Sequence, residues 1–398
     1  MTRTIHYATN VYHYDDALAA MRSHFDHVTL QRRFEPDQNG IELLDKIPGT
    51  AVLRNRMNRR LRDAPSADRL VGLGAAQFSI PMLGLIGRPA PGALIRCVNH
   101  QSAKAVARAL RHTEVFQFVE GLGHVALQKR STSFEYSVME RRNLHHEVFE
   151  TAIPTFLGFP QRARLDPLRS YLTEEYERAD QIVVYSKVAA ASFEARGFDT
   201  RRLVVAPLAV HTSFAGGSRP GTPSQSSSSS STAPLLYVGR GDAYKGLDLA
   251  VATVRALGAP LKLRVAGPAP REVIEWMRQF PQVEYLGVVS RSTLSTLYTQ
   301  SSALLAPSVE SFGLALLDAA AHGLHVFCRE TTGASEFLLP SQFTKIRGRE
   351  LSDWTNAVGN RLASPREEAG AGTQPLPRGL LDGSLSQRAF STLYESLA

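Results

Sequence analysis

Two carboxylates flank the expected start of a helix, and their spacing predicts a ligand site. Glu310 lies in a loop after an apolar strand, and Asp318 follows inside the next predicted helix. Between them, Phe312, Gly313 and Leu314 would open that helix, whose free N–H groups and dipole favour a phosphate. Gly313 would let the backbone approach the phosphate closely. We expect Glu310 to accept hydrogen bonds from sugar hydroxyls and Asp318 from a diol such as a ribose; an ordinary capped helix is the alternative.

Two cations follow an earlier apolar strand, residues 235–238. Gly239, Arg240 and Lys245 lie in a glycine-flanked loop at the end of that strand. Two positive charges in such a loop can clamp a diphosphate and stabilise the charge that grows on it as a leaving group. A solvated loop lysine is the alternative interpretation.

A third segment is a short strand, residues 283–286, that ends at Gly287. The backbone of this glycine could lie against the edge of a planar base, and Val288 and Val289 follow it. Taken alone, the segment is equally typical of an ordinary turn.

Strand-like and helix-like segments alternate through both halves of the chain, which predicts parallel sheets covered by helices on both faces. The expected strands of the first half are residues 5–9, 94–98, 115–119, 134–139 and 181–185. Those of the second half are residues 235–238, 261–266, 283–286, 303–306 and 325–327. The predicted fold class is α/β, with two Rossmann-like, doubly wound domains that face each other across a cleft. Ligands of such sheets bind beyond the carboxyl ends of the strands.

A segment rich in glycine, serine and proline divides the chain, and it includes six consecutive serines at 226–231. Such a composition cannot form a packed core and predicts a flexible linker. We therefore expect an N-terminal domain over 1–209, a linker over 210–233 and a C-terminal domain over 234–384. The helical pattern near the end, 385–398, is expected to join the N-terminal domain.

The composition indicates a globular protein, with 43% hydrophobic and 21% charged residues among 398. No run approaches the roughly 18 apolar residues of a membrane-spanning helix, and the first residues lack the apolar core of a signal peptide. Cys97 and Cys328 each lie in an apolar run, which predicts buried thiols in a reducing compartment. These features predict a cytoplasmic location.

The formal net charge of +8 favours anionic partners. Five arginines crowd the segment from Arg54 to Arg62 among apolar residues, so this segment could lie on an anionic membrane surface at the inner face of the membrane. A solvated helix face is the alternative. Nucleic acid is not an expected partner, because the chain has no aromatic RNA-binding motif, zinc spacing or helix-turn-helix pattern.

Taken together, the three C-terminal segments resemble the retaining glycosyltransferases of family 4, which have the GT-B fold. The resemblance covers residues 235–337 and implies that 234–384 bind a nucleotide-sugar donor. It implies that two residues bind the donor diphosphate, Arg240 and Lys245, and that Glu310 contacts the transferred sugar. It further implies roles for the loop amides in phosphate binding, for one carboxylate in ribose binding and for two side chains beside the base: Phe312, Gly313, Leu314, Asp318, Val288 and Val289. The family usually has Glu where this chain has Asp318.

The N-terminal half is similar to the family over 174–186 and 197–210, which implies an acceptor-side domain. Members often have a Gly-Gly loop after the first strand, where this chain has residues 9–12. They also place a sugar-contacting residue, often His, after a strand in mid-domain. Two strands compete for that role, one ending near His100 and the other followed by Glu140, Arg141 and His145. We favour the second as the source of candidate catalytic residues.

The resemblance implies a retaining transferase that needs no metal or other cofactor and moves a sugar to an acceptor hydroxyl in polysaccharide or glycolipid synthesis. A glycan or a lipid-linked molecule would be the acceptor. The alternatives are an epimerase or phosphorylase on the same architecture, and a non-catalytic nucleotide-binding scaffold. Residues 121–126 also fit G-x-G-x-x-A, but a lone match is weak evidence for dinucleotide binding.

Overall fold

The computed structural model describes residues 2–9, 15–32, 67–72, 92–129, 133–151, 156–160, 166–210, 233–348, 350–363 and 376–397. The arginine cluster from Arg54 to Arg62, residues 10–12 and the low-complexity segment 211–232 lie outside these ranges. Over the described residues the chain forms two parallel sheets, one of seven strands and one of six.

The N-terminal sheet has the strand order β3-β2-β1-β4-β5-β6-β7. Its strands are β1 (Thr4–Thr9), β2 (His27–Arg32), β3 (Arg69–Gly72), β4 (Thr113–Val119), β5 (Phe134–Arg141), β6 (Gln181–Val184) and β7 (Leu203–Val205). Its helices are α1 (Asp15–His24), α2 (Gly92–Ala109), α3 (His124–Leu127), α4 (His146–Thr151), α5 (Arg169–Arg178) and α6 (Lys187–Glu194). The central strands carry apolar residues on both faces, as a sheet covered on both sides requires.

The C-terminal sheet has the order β10-β9-β8-β11-β12-β13. Its strands are β8 (Leu235–Val238), β9 (Leu263–Ala266), β10 (Val283–Gly287), β11 (Ala303–Ala306), β12 (His325–Arg329) and β13 (Phe343–Ile346). The helices of this half are α7 (Leu247–Leu257), α8 (Arg271–Met277), α9 (Arg291–Gln300), α10 (Leu314–Ala321), α11 (Leu351–Ala363) and α12 (Arg378–Leu381), followed by α13 (Ser384–Ser396).

Both sheets reverse their winding direction once, between β1 and β4 and between β8 and β11. Loops that follow two such neighbouring strands diverge to opposite faces and leave a crevice at the carboxyl edge of the sheet. The prediction of two doubly wound sheets is therefore confirmed, and the C-terminal motifs follow β8, β10 and β11, whose carboxyl ends lie along one edge.

One predicted strand and one predicted thiol environment are wrong. Residues 94–98 lie inside helix α2, where the buried positions Val98, Ser102 and Val106 recur at the spacing of a helix face. Cys97 lies on the outer side of this helix and is exposed, whereas Cys328 is buried in β12 as expected. The competing strand ending near His100 therefore does not exist.

Helix α13 returns to the N-terminal sheet. Phe390, Leu393 and Tyr394 pack with apolar residues of β1, β2 and α1, among them Tyr7. The Tyr394 hydroxyl donates to the Oε1 atom of Gln117 at 2.6 Å. Part of the N-terminal core is thus supplied by the end of the chain.

A second segment crosses in the opposite direction. Residues 156–160, here called the docking segment, lie between α4 and α5 in sequence but contact the C-terminal domain. The Phe156 amide donates to the Asp248 carboxylate at 2.6 Å, and the Trp276 indole N–H donates to the Leu157 carbonyl at 3.1 Å. Phe159 packs edge-on against Trp276, with ring centroids 5.0 Å apart. Helix α13 therefore packs in the N-terminal domain although it follows the C-terminal domain in sequence, and the docking segment packs on the C-terminal domain although it lies within the N-terminal half.

Candidate active site

The centre of the candidate site is an ion pair between two predicted residues. The Lys245 Nζ atom lies 2.5 Å from the Glu310 Oε1 atom, and both side chains are about one quarter exposed. Lys245 follows β8 and Glu310 follows β11, so the pair spans the point where the sheet reverses its winding. Two residues 65 positions apart in sequence thus meet where doubly wound sheets bind ligands.

Close backbone contacts hold the two loops together. Gly246 has a φ of +66°, and a Cβ at this position would lie 2.7 Å from the Pro307 carbonyl oxygen. The Val309 amide donates to the Tyr244 carbonyl at 3.3 Å. A side chain at Gly246 would separate the loops, so this glycine is what lets Lys245 reach Glu310.

The second predicted cation, Arg240, is more open. Its side chain is 66% exposed, and its guanidinium lies 3.0 Å from the Asp242 carboxylate, which also accepts a hydrogen bond from the Lys245 amide. Burial raises the pKa of the Asp242 carboxyl, while Arg240 and Lys245 oppose that rise. An exposed guanidinium on a short tether can turn toward an anion that enters the crevice.

The loop after Glu310 leads into α10 through a left-handed residue. Gly313 has a φ of +98° and precedes Leu314, the first residue of the helix. The carbonyl of the buried Phe312 accepts a hydrogen bond from the Ala334 amide at 2.5 Å, which fixes this turn. The first amides of α10 have no acceptor within the helix and point out of its N-terminus, as an anion site requires.

Asp318 and the valine turn border the same edge. Asp318 lies one turn into α10 and is half-buried, and burial raises the pKa of its carboxyl. Val288 is 76% exposed after β10, whereas Val289 packs into the domain core. Val288 is therefore the valine of the pair that is open to a ligand. Gly239 follows β8 and lies so close to Gly267 that a Cβ on Gly267 would collide with the Gly239 carbonyl.

The N-terminal candidates lie at the carboxyl end of β5 but are enclosed. Burial raises the pKa of the Glu140 carboxyl, which accepts a hydrogen bond from Gln117 at 2.6 Å and lines a cavity beneath α13. Arg141 is 1% exposed and is bound to the Glu120 carboxylate and the Leu144 carbonyl.

His145, the remaining N-terminal candidate, is also buried. Its ring lies in an aromatic cluster with Tyr176 and Phe193, at centroid distances of 5.1 Å. Burial lowers its pKa to about 4, so the imidazole is neutral near pH 7. The roles of Glu140, Arg141 and His145 stay predictions, and Glu140 lines the cavity beneath α13.

The two domains touch directly beside Glu310. The Ser311 hydroxyl donates to the Arg142 carbonyl, and the Ser186 hydroxyl donates to the Ser311 carbonyl at 2.5 Å. Glu336 accepts two hydrogen bonds from amides at the start of α6. Sequence reasoning missed Arg142, Ser186 and Ser311, because a serine or arginine beside a motif carries no signal that another domain will contact it.

The G-x-G-x-x-A run forms an anion-binding loop that is already filled. The amides of Gly121, Gly123 and His124 donate to the fully buried Glu175 carboxylate at 2.7, 2.7 and 3.0 Å. This loop therefore has its own carboxylate where a dinucleotide-binding loop would hold phosphate.

The sequence has counterparts among known proteins. Residues 233–358 match the family described as Glycosyl transferases group 1. Over 145 residues the chain is 28% identical to the gpi3 subunit of the phosphatidylinositol N-acetylglucosaminyltransferase of Schizosaccharomyces pombe. The aligned region covers 34% of this chain and 32% of that relative, so the match spans about a third of the relative's length.

Solved structures resemble the whole chain at low sequence identity. The α,α-trehalose 6-phosphate synthase of Burkholderia multivorans has a TM-score of 0.60 at 16% identity and covers 100% of this chain and 97% of its own. Anabaena HepE in complex with UDP and glucose has a TM-score of 0.53 at 11% identity, with 99% and 97% covered. The protein thus has the GT-B fold of glycosyltransferases. Its C-terminal domain carries the sequence signature of glycosyl transferases group 1.

Proposed function

We propose that the protein is a retaining glycosyltransferase of family 4 that moves a sugar from a nucleotide diphosphate to an acceptor hydroxyl. The observation that carries the proposal is the ion pair between Lys245 and Glu310 at the winding reversal of the C-terminal sheet. A cation for a phosphate and an acceptor for sugar hydroxyls thus lie side by side, which is what a nucleotide sugar requires. The group 1 signature over the same residues supports this assignment.

Each side chain of the crevice has a part in the proposed reaction. Arg240 and Lys245 bind the diphosphate together with the amides that begin at Gly313. Glu310 binds the transferred sugar, and Asp318 binds the ribose. When the bond from the anomeric carbon to the phosphate oxygen breaks, its electron pair stays on the diphosphate, where these donors stabilise it. The acceptor hydroxyl attacks the same face, and its proton passes to the leaving phosphate oxygen. Because cationic side chains provide the positive charge, the reaction needs no metal ion.

The acceptor is proposed to be a glycolipid or a growing glycan. The similarity to the gpi3 subunit, whose name specifies a phosphatidylinositol acceptor, favours a lipid-linked molecule. No helix among the described residues has the length and hydropathy needed to span a bilayer. The positive charge of the cluster from Arg54 to Arg62 supports a further proposal, peripheral attachment to the inner face of the membrane. Reversing the charge of these arginines should then weaken both vesicle binding and transfer.

The donor site is tested by thermal denaturation with a panel of nucleotide diphosphate sugars. One donor class should raise the melting temperature of the wild-type protein by mass action. Lys245→Met should lose most of that shift, because the phosphate loses a cation and Glu310 is left without its partner. Lys262→Met is the matched control, since Lys262 is an exposed lysine of the same domain that contacts a carbonyl.

Glu310→Gln separates an enzyme from a scaffold. In a transferase this variant should bind the donor but lose at least about 100-fold in turnover, because the amide cannot replace the carboxylate in the transition state. If none of the donors raises the melting temperature of the wild-type protein, the proposal is contradicted. A donor shift without measurable transfer would favour the non-catalytic scaffold.

A further inference from the structure

The carboxyl ends of β4 and β5 carry two arginines that share one buried carboxylate. Glu120 is 5% exposed and accepts hydrogen bonds from the side chains of both Arg141 and Arg142. Arg141 is also bound through two nitrogens to the Leu144 carbonyl, so its donors are used within the domain. Arg141 therefore neutralises Glu120 and is held in place by contacts within its own domain.

Arg142 differs from its neighbour in exposure and in partners. Its side chain is 37% exposed and is fixed through Nε, 2.8 Å from the Glu120 Oε1 atom. Over the described part of the chain, no residue accepts a hydrogen bond from either of its terminal nitrogens. A guanidinium anchored at Nε presents those two nitrogens as a fork, the geometry that binds phosphate oxygens.

The backbone of Arg142 places this fork beside the candidate donor site. The Arg142 carbonyl accepts the hydrogen bond of the Ser311 hydroxyl. Ser311 lies between Glu310 and Phe312, in the loop that leads to the N-terminus of α10. On the other side, the charge of Arg142 opposes the rise in the pKa of Glu140, which lines the cavity beneath α13. Arg142 thus lies between the crevice of one domain and the cavity of the other.

The charge balance across the crevice favours an anion at this fork. Lys245 is paired with Glu310, and Arg240 is paired with Asp242. By contrast, Arg141 and Arg142 share one ion-pair partner, the Glu120 carboxylate. The carboxyls of Asp166 and Glu140 also interact electrostatically with Arg142, but burial raises the pKa of both and so favours their neutral forms. A guanidinium that shares its carboxylate partner with a second guanidinium can therefore still be neutralised by an incoming phosphate.

We infer that Arg142 is a substrate-binding residue that donates to the leaving diphosphate from the acceptor-side domain. This inference rests on the proposed function. In the domain arrangement of this structure, Ser311 keeps Arg142 beside the donor loop, whereas opening the cleft would withdraw the guanidinium with the N-terminal domain. The third cation therefore reaches the diphosphate only when the cleft is closed, which links bond cleavage to the exclusion of water.

The test compares Arg142→Met with wild-type protein and with Arg201→Met, a control that alters an 88%-exposed arginine of the same domain. Binding of UDP, GDP, ADP and TDP is measured by calorimetry without acceptor, and turnover is measured with the donor that the thermal panel selects. Arg142→Met should bind its nucleoside diphosphate about ten-fold more weakly than the wild type. Its kcat should fall by a larger factor than its KM for the donor rises. Arg142→Lys should recover part of both, and Arg201→Met should match the wild type.

Three outcomes would overturn the inference, each in a different way. Unchanged nucleotide binding and turnover in Arg142→Met would show that the fork does not touch the diphosphate. A rise in KM for the acceptor alone would assign the fork to a phosphate on the acceptor. A wild-type protein that binds none of the four nucleotides would overturn the proposed function as well. If Arg142→Met fails to fold, Arg142→Gln removes the charge and keeps a donor for Glu120.

Discussion

Glu175 and Glu310 both lie against loops at the carboxyl edge of a sheet, but their partners differ. Glu310 has a cation as its partner and is reachable from the crevice. Glu175 is completely buried and receives three backbone amides at hydrogen-bond distance. Although burial raises the pKa of the Glu175 carboxyl, the His124 side chain and the amides of Gly121 and Gly123 oppose the rise. A reachable carboxylate can change partners during a reaction, whereas Glu175 fixes the course of a loop.

Glu175→Gln should destabilise the protein without altering donor recognition. The amide nitrogen of glutamine would face a backbone N–H group, so one buried donor loses its acceptor, at a cost of about 1–3 kcal/mol. We expect a lower melting temperature and an unchanged shift on donor binding. Glu174→Gln, at the neighbouring and more exposed position, is the control and should change neither value. Equal stability of the two variants would contradict the role of Glu175.

At the residue scale, the sequence was enough to choose candidates whose placement depends on their own loop. Lys245, Glu310 and Gly313 could be chosen from local spacing, because a loop after a strand and a helix start are local features. Arg141 and Arg142 could not be distinguished, since adjacent positions at a strand end differ only in which neighbours they meet. Glu120, a neighbour that determines the difference, is 21 residues from Arg141 in the sequence.

At the scale of elements, continuous apolar runs were predicted well, and strands interrupted by polar residues were not. Apolar residues recur at helical spacing from 247 to 257, and helix α7 occupies those residues. Four strands were missed: β2, β3, β7 and β13. β7 has only three residues, and polar or charged residues such as Gln31 in β2, Arg69 in β3 and Lys345 in β13 interrupt the apolar run by which the other strands were recognised. Helix α2 was mistaken for a strand because its first residues form an apolar run, which fits either structure until the later positions are considered.

The start of α7 should make stability depend on pH. The Asp248 carboxylate accepts a hydrogen bond from the Phe156 amide of the docking segment, and burial raises the pKa of its carboxyl to about 6. The unfolded value is near 3.9, so the folded state binds this proton more tightly. The stabilising contribution of the protonated form is therefore present below about pH 4 and is lost as the pH rises to about 6.

Asp248→Asn removes this titration and keeps an oxygen to accept the amide. The melting temperature of the variant, relative to wild type, should increase between pH 4.5 and 7. Asp199→Asn is the control, because its arginine partner lowers the pKa of Asp199 to about 2, outside that range. A constant difference between Asp248→Asn and wild type across the range would show that Asp248 does not titrate there.

At the scale of the whole molecule, the order of segments along the chain does not match their division between the two hydrophobic cores. Helix α13 belongs to the N-terminal core, and the docking segment packs against Trp276 of the C-terminal domain. Composition could indicate a division near 211–232, because a serine-rich segment cannot form a core. It could not show the docking segment, whose attachment depends on a pocket formed by the other domain.

Separate expression of the two halves tests this exchange. A fragment of residues 1–210 should be poorly soluble alone, because Tyr7, Phe25 and Val28 would lose the cover of α13. Co-expression with residues 233–398 should restore a soluble complex that purifies through a tag on either fragment. As a control, the same pair with Tyr394→Asp should associate less, since the aspartate would bury a charge in that core. A soluble monomeric fragment 1–210 would contradict this expectation.

The return of α13 also has a consequence for biosynthesis. A ribosome produces the seven strands of the first sheet long before it produces the helix that covers them. Until Phe390 and Tyr394 leave the exit tunnel, the nascent N-terminal half exposes an apolar face to the cell. During most of its translation, such a chain is a natural client for chaperones that bind hydrophobic surface. The half of the protein that is translated first is therefore the half whose core is completed last.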